Sequence, residues 1–118
     1  MYGLPEDIDL SPLLGQELQQ ICIGQHDAIL NFSGEASVGS ATTFVCTSYD
    51  GETSTFTSPP EAAASLVRLL GLPVVGARRE APGTLVLEFA NGERLDIPDA
   101  EEHYESYTLQ IGSALYVI

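Results

Sequence analysis

The sequence predicts an α+β fold, with an antiparallel sheet of about seven to eight strands and one main helix packed on it. Three observations support this class. Apolar and polar residues alternate with a period of two through much of the chain, which is typical of half-buried strands. Two β-rich segments, 28–38 and 85–97, resemble each other. One segment, at about 59–70, instead has apolar residues at helical spacing.

The two similar segments indicate an internal repeat. Phe32 and Phe89 occupy corresponding places, 57 positions apart, and a Leu-Gly pair precedes each copy at nearly the same distance. A period of this length indicates one supersecondary unit used twice. We therefore expect a single domain, 1–118, with units at about 14–47 and 70–118. The units are expected either to share one sheet or to form a small half-open barrel around the helix.

The first unit begins with a short turn and continues as strands. Pro12 follows Ser11, which predicts a single helical turn with Ser11 as its cap. Alternating segments then predict strands at 18–23, 28–32, 36–38 and 44–47. The stretch 47–58 is rich in Ser and Thr and contains Asp50-Gly51, which predicts a hairpin or a loop.

The helix between the units has clear start and stop signals. Ser58 and Glu61 have the spacing of a capping box, with prolines in the first turn. Gly71 is suited to end the helix, and Pro73 prevents its continuation. The apolar stripe of this helix contains Ala62, Ala63, Leu66, Leu69 and Leu70.

The second unit contains a hairpin whose register follows from its apolar residues. A three-residue loop at 90–92, with Gly92 in the left-handed conformation, pairs Leu87 with Leu95. The same register pairs Leu85 with Ile97, so one face stays apolar. Further strands are expected at 74–75, 107–111 and 114–118.

The charge of the chain restricts its partners. The 118 residues contain 17 Asp and Glu against four Arg and no Lys, a formal net charge of −13. Such a field repels phosphate backbones and anionic lipid, so we expect neither nucleic acid nor a membrane as partner. It attracts basic proteins and cations. The N-terminus lacks a signal-peptide pattern, which favours a cytoplasmic protein. Open sheet edges leave a monomer or a homodimer as alternatives.

The two cysteines match no metal or redox spacing. Cys22 and Cys46 lie in apolar strand-like segments, where a free thiol packs as a small hydrophobe. Their spacing leaves open whether they form a disulfide.

The pattern L-x-L-x-F-x-N-G-x-x-L-x-I at 85–97, followed by Y-E-S-Y at 104–107, resembles a family of small uncharacterised bacterial proteins. The resemblance implies a bacterial, single-domain, non-catalytic protein and assigns no functional residues. The small acidic chain is also similar in type to immunity proteins that neutralise secreted toxins.

The densest polar cluster lies between Asp96 and Glu105. Its carboxylates and imidazole have the chemistry of a divalent metal site, but no EF-hand spacing is present and Asp99 and Glu102 suit a helix cap, so a solvated acidic turn is favoured over a metal. We favour a protein contact, in which tyrosines supply contact area among charges. The alternative for Tyr107 is a place in the core. The predicted binding residues are Tyr104, Glu105, Tyr107, Glu101, Glu102 and His103.

The expected function is that of a non-enzymatic protein–protein interaction module without a cofactor. No nucleophile elbow, phosphate loop or dinucleotide motif is present in the sequence. One alternative is an immunity-type inhibitor of a basic toxin, and another is a small metal-dependent hydrolase that uses His103. Arg78 and Arg79 are expected to offset Glu80 rather than to bind an acidic partner.

The net charge predicts that salt stabilises the fold. Self-repulsion among 17 acids should weaken as counterions screen it, so the melting temperature should rise from low to physiological ionic strength. Calorimetry at a series of NaCl concentrations measures this, and a melting temperature that stays constant would contradict it.

Overall fold

The computed structural model describes residues 4–99 and 106–118, leaving out the side chain of residue 40. This part of the chain contains ten strands, one α-helix and a short 3-10 helix, Ser11–Leu13. The first five strands are β1 (Leu18–Ile23), β2 (Ala28–Phe32), β3 (Ala36–Ala41), β4 (Phe44–Thr47) and β5 (Thr53–Phe56). The helix α1 (Pro59–Val67) follows, and then come β6 (Val74–Glu80), β7 (Thr84–Phe89), β8 (Arg94–Ile97), β9 (Thr108–Ile111) and β10 (Ala114–Val117).

The strands form two antiparallel sheets of five. The first sheet has the order β1-β2-β3-β9-β10 and the second has the order β5-β4-β8-β7-β6. The α+β class is therefore confirmed. The expected count of seven to eight strands is wrong, as is their placement in one sheet or a half-open barrel. Neither sheet is closed on itself, and each has two edge strands.

Two strands account for much of the difference in count and length. β5 consists of Thr53–Phe56, which lacks apolar alternation; of the hairpin and the loop expected at 47–58, the structure has the hairpin, β4-β5. It forms because β4 offers an unpaired edge. β6 runs to Glu80 rather than stopping at residue 75. Its Arg78 and Arg79 pair with Val86 and Leu85 of the neighbouring strand β7, so the strand continues through both arginines.

The two halves of the chain have the same topology and exchange their hairpins. Each half begins with a three-stranded meander, β1-β2-β3 or β6-β7-β8. Each meander is followed in sequence by a two-stranded hairpin, β4-β5 or β9-β10. The hairpin of each half joins the meander of the other, through the β4–β8 and β3–β9 pairs. Both sheets therefore contain strands from both halves.

The halves meet through matching backbone hydrogen bonds. The Gly15 N–H donates to the Val74 carbonyl at 2.8 Å, and the Gly71 N–H donates to the Leu18 carbonyl at 2.8 Å. Gly15 and Gly71 both have positive φ, 85° and 81°, a conformation that glycine adopts most readily. These glycines belong to the two Leu-Gly pairs noted in the sequence. The two halves thus match in backbone hydrogen bonding as well as in topology.

The inner faces of both sheets share one core. Leu85, Leu87 and Phe89 point into it from β7, together with Leu30 and Phe32 from β2. The helix contacts β1 of the first sheet and both β4 and β5 of the second, so it spans the two sheets. Its contribution to the core consists of Ala62 and Leu66.

The helix begins at the predicted residue but ends earlier. Leu69 and Leu70 donate to carbonyls three residues back, so the last turn tightens after Val67. The predicted capping box is wrong, because the Ser58 side chain makes no capping hydrogen bond. The Glu61 N–H donates to the Ser58 backbone carbonyl instead.

The predicted hairpin register is confirmed. Leu85 pairs with Ile97, Leu87 with Leu95, and Glu88 with Arg94. The predicted strand at the C-terminus is also present as β10, an edge strand of the first sheet.

The two meanders turn on corresponding residues of different type, which yields a paired stability test. Gly92 has φ 86° in the β7–β8 loop, and Glu35 has φ 67° in the β2–β3 loop. Replacing Glu35 with Gly should raise the free energy of unfolding by about 0.5 kcal/mol, because relief of left-handed strain outweighs the added unfolded-state entropy.

Gly92→Ala should lower the free energy of unfolding by about 1 kcal/mol, because alanine is strained in the left-handed conformation that glycine adopts there. Its new Cβ would lie 3.4 Å from the Tyr49 Cβ, an ordinary contact, so packing adds little. Urea unfolding measures both variants. If both substitutions changed the free energy of unfolding in the same direction, the expected preference of both positions for glycine would be contradicted.

Candidate protein-binding surface

The acidic segment predicted as the binding site lies largely outside the described residues. This applies to Glu101, Glu102, His103, Tyr104 and Glu105, and their roles stay predictions. The structure does describe the two ends of the segment. The Ser106 hydroxyl donates to the Asp99 carboxylate at 2.8 Å, so residues 100–105 connect two points that are held together.

Tyr107 is a core residue. Its side chain is 0% exposed, and its hydroxyl donates to the Gly83 carbonyl at 2.9 Å. Its backbone carbonyl accepts a hydrogen bond from the Ile118 N–H at 3.0 Å. Burial raises the pKa of Tyr107 well above its ordinary value, and the nearby charge of Asp99 adds to the effect. The ring is thus not available to a partner, which corrects the inclusion of Tyr107 among the binding residues.

A lattice of ion pairs covers the outer face of the second sheet. Arg78 on β6 pairs with Glu80 and Glu88, and Arg94 on β8 pairs with Asp96 and Glu80. The Arg94–Asp96 pair is bidentate, with distances of 2.6 and 2.8 Å. These hydrogen bonds raise the pKa of Arg94 further above its ordinary value, so the guanidinium stays charged.

The lattice shields an apolar residue. Val86 lies on the outer face of β7, since it alternates with the core residues Leu85 and Leu87, and yet it is 0% exposed. Its strand partners are Arg78 and Asp96. Because β7 lies between β6 and β8, the pair from Glu80 to Arg94 must cross the middle strand. The charged side chains therefore cover Val86.

The other two arginines are also engaged within the chain. Arg68 pairs at 3.1 Å with Glu93, whose side chain is largely buried. Arg79 donates to the backbone carbonyls of Leu4 at 2.6 Å and Pro82 at 3.0 Å. Arg78 does pair with Glu80, as expected, whereas Arg79 holds backbone groups. All four cations of this chain thus contact its own groups.

The outer face of the first sheet has the opposite character. Its five strands contain no charged residue at any described position. Ile29, Leu115 and Val117 are exposed there, at 41%, 60% and 41%. We call this surface the uncharged face. The residues on it are Gln20, Cys22, Ile29, Asn31, Ser37, Thr108, Gln110, Leu115 and Val117.

The uncharged face was not predicted from the sequence. A signal was present, because 18–34 contains only one charged residue, Asp27, and 106–118 contains none. The scarcity of charge in these segments does not by itself indicate a surface, because strands that bury one face in the core are largely apolar in any case. Only the pairing of β3 with β9 shows that the two uncharged segments form one surface.

Two clefts in the described part of the chain are weaker candidates for a binding site than the uncharged face. A shallow cleft of about 530 Å³ lies at the start of α1, where it is lined by His26 and Ser58. Pro59 and Pro60 remove two N–H donors at that helix end, so it is poorly suited to anions. A smaller cleft of about 150 Å³ is lined by Cys46 and the Arg68–Glu93 pair among other polar residues.

The cysteines are both free in the structure. Cys22 is exposed on β1, and Cys46 is half-buried on β4. Burial raises the pKa of the Cys46 thiol to about 11, and the charges of Glu93 and Asp96 add to this. Such a thiol is a weak nucleophile at neutral pH, because the thiolate is the reactive form.

Membrane and metal features complete the description of the surface. No helix among the described residues is long and apolar enough to cross a membrane. Within residues 4–99 and 106–118, no group of three His, Cys, Asp or Glu side chains is placed to hold a metal ion. The predicted acidic cluster falls mostly outside these ranges, so the metal hypothesis stays a prediction.

Comparison with known proteins places the chain in a family. A model of a family of unknown function, DUF6188, matches residues 10–118. The match covers most of the chain, so the chain belongs to this family. This agrees with the resemblance to an uncharacterised family. Searches of curated proteins and of solved structures give no match.

The pKa of Cys46 predicts slow alkylation. In a Cys22→Ser variant at pH 8, Cys46 should react with iodoacetamide about 100-fold more slowly than a cysteine in an unfolded peptide, since its pKa is about two units higher. The rate should rise about tenfold per pH unit up to about pH 11. The same variant in urea is the control, and equal rates with and without urea would contradict the prediction.

Proposed function

We propose that this member of the DUF6188 family is a non-enzymatic protein–protein interaction module whose partner is a basic protein. The observation that carries the proposal is the engagement of all four arginines within the chain, while the formal net charge is −13. The outward field is therefore negative, and a cationic surface is its natural complement.

The charge acts first on the rate of association. A negative field attracts a basic protein over about a Debye length, roughly 8–10 Å at physiological salt, and so raises the rate of encounter. It contributes less to the lifetime of a complex, which depends on contacts made at short range. An acidic module therefore needs a separate contact surface in addition to its charge.

The acidic segment is the proposed steering element. Glu101, Glu102 and Glu105 are concentrated in it, and Tyr104 supplies an amphipathic ring. Its ends are held together by the Asp99–Ser106 hydrogen bond. Ends that are held together leave fewer conformations to be lost on binding.

The specific form that we propose is an immunity-type inhibitor of a basic toxin. A small acidic protein that covers a cationic toxin surface requires rapid association and no chemistry of its own. The fold supports this role with two stable sheets and exposed surface on both. The excess of 17 acids over four arginines supports the same direction of charge.

Affinity capture tests the proposal. The chain is immobilised and incubated with lysate of the organism that encodes it, and enriched proteins are identified by mass spectrometry. Each enriched protein is then purified and its Kd measured by calorimetry at several NaCl concentrations. We expect a Lys- and Arg-rich partner whose affinity falls about tenfold or more between 50 and 300 mM salt, because salt screens the attraction.

A matched pair of variants tests the acidic segment. The triple change Glu101→Gln, Glu102→Gln and Glu105→Gln should slow association several-fold at low salt. The control removes three exposed acids elsewhere, through Glu6→Gln, Glu52→Gln and Glu61→Gln. If both triple variants slowed association equally, the acidic segment would have no special role in steering. Binding that strengthens with salt, or enrichment of no basic protein, would overturn the proposed function.

A further inference from the structure

The two sheets allow an internal comparison of their outer faces, because the halves have the same pairing. In the first sheet, Ile29 on the middle strand of the meander pairs with Cys22. In the second sheet, Val86 at the corresponding place pairs with Arg78. Both apolar residues point away from the core, but Ile29 is 41% exposed and Val86 is 0% exposed.

Differences at the surrounding positions explain the contrast. Asn31 pairs with Ser37 in the first sheet, whereas Glu88 pairs with Arg94 in the second. The cross-strand ion pairs that cover Val86 therefore have no counterpart around Ile29. One face is covered by its own charged side chains, and the other is bare.

The hairpin strands show the same trend. On the outer edge of the first sheet, Leu115 faces the solvent next to Gln110. On the outer edge of the second sheet, Thr53 lies at the corresponding place, next to Thr47. The first sheet thus has an apolar side chain where the second has a hydroxyl. Between the edge strands β10 and β5, the uncharged face is therefore the more apolar of the two outer faces.

We propose that the uncharged face is the docking surface for a basic protein, with its charge-free centre packed against the partner and cations of the partner at its rim. This rests on the proposed function and adds the place of contact. Depletion of charge at the centre of a surface is the compositional feature that distinguishes protein interfaces from other surface. Ile29, on β2 next to the central strand β3, provides exposed apolar contact there.

The rim of the face favours a basic partner over a second copy of this chain. Glu17 precedes β1, Asp27 lies in the β1–β2 turn and Glu35 lies in the β2–β3 turn, and all three are exposed. No described arginine lies on the strands of this sheet. A second copy would bring acids against acids, whereas Lys and Arg on a partner would pair with them.

The size of the face is adequate for the centre of an interface. Five strands about 4.8 Å apart, each contributing about five residues of 3.3 Å, span roughly 400 Å² of flat surface. A standard interface buries about 800 Å² of each partner. The turns at the rim, with Glu17, Asp27 and Glu35, extend this surface.

Cys22 provides a direct test because its thiol is exposed on this face. In a Cys46→Ser chain, Cys22 is the only thiol and is labelled with a benzophenone maleimide. The matched control carries Cys22→Ser, Cys46→Ser and Thr53→Cys, which places the label on the outer face of the second sheet. Both are irradiated in lysate of the encoding organism, and adducts are identified by mass spectrometry.

We expect the Cys22 label to give an adduct with the Lys- and Arg-rich protein that the unlabelled chain captures. The adduct should be lost in 1 M NaCl, and the Thr53→Cys label should not form it. An adduct between two copies of this chain would overturn the proposal in favour of a self-interface. Adducts of equal yield from both labels, or none from either, would also overturn it.

Affinity measurements with the purified partner separate the failure of this proposal from failure of the proposed function. Ile29→Arg and Leu115→Arg should each weaken binding about tenfold or more, because each places a like charge in the apolar contact. Thr53→Arg, the matched control, should change the Kd less than about twofold. Circular dichroism melts verify that all three variants fold.

If the basic partner binds Ile29→Arg and Leu115→Arg as tightly as it binds the original chain, the uncharged face is not the docking surface. Salt-dependent binding of that partner would still support the proposed function. If no basic protein binds the original chain, both proposals fail together.

Discussion

The exchange of hairpins between the two halves is the constraint on which the rest of the structure depends. Neither meander completes a sheet without two strands from the other half, through the β3–β9 and β4–β8 pairs. Inner faces built in this way come from both halves and share one core. Folding one half into its final sheet therefore requires the other, and the contacts involved are distant in sequence.

The same constraint produces two outer faces that are alike in backbone and different in chemistry. Each half supplies three strands to its own sheet, so substitutions in one meander change one outer face only. The second meander contains arginines and acids that pair across the strands and shield Val86. The first contains amides and hydroxyls around Ile29. Two halves of the same topology thereby support a self-covered face and a bare one on a single core.

The charge of the protein and the bare face act at different ranges. The acids act over several ångströms through solvent, and the four arginines offset only four of the 17 acids. The uncharged face acts only at contact, through removal of apolar surface from water. A basic partner would experience the field first and the face second. This division also explains why no catalytic group is needed for the proposed role. The half-buried Cys46 illustrates the point, because its high pKa makes it a weak nucleophile.

The sequence by itself determined the α+β class, the helix start, the β7–β8 register and the apolar stripe of β7. Each of these follows from local periodicity or turn chemistry, which act within about ten residues. It did not determine β5 or the length of β6, because those strands form only where a neighbouring edge is free. The sequence left Tyr107 with two possible places, in the partner-binding surface or in the core. Only the tertiary structure placed Tyr107 against Gly83, and only the tertiary structure joined β3 to β9. The outer face of a sheet is a property of strand pairing across the chain, and so no local pattern could specify it.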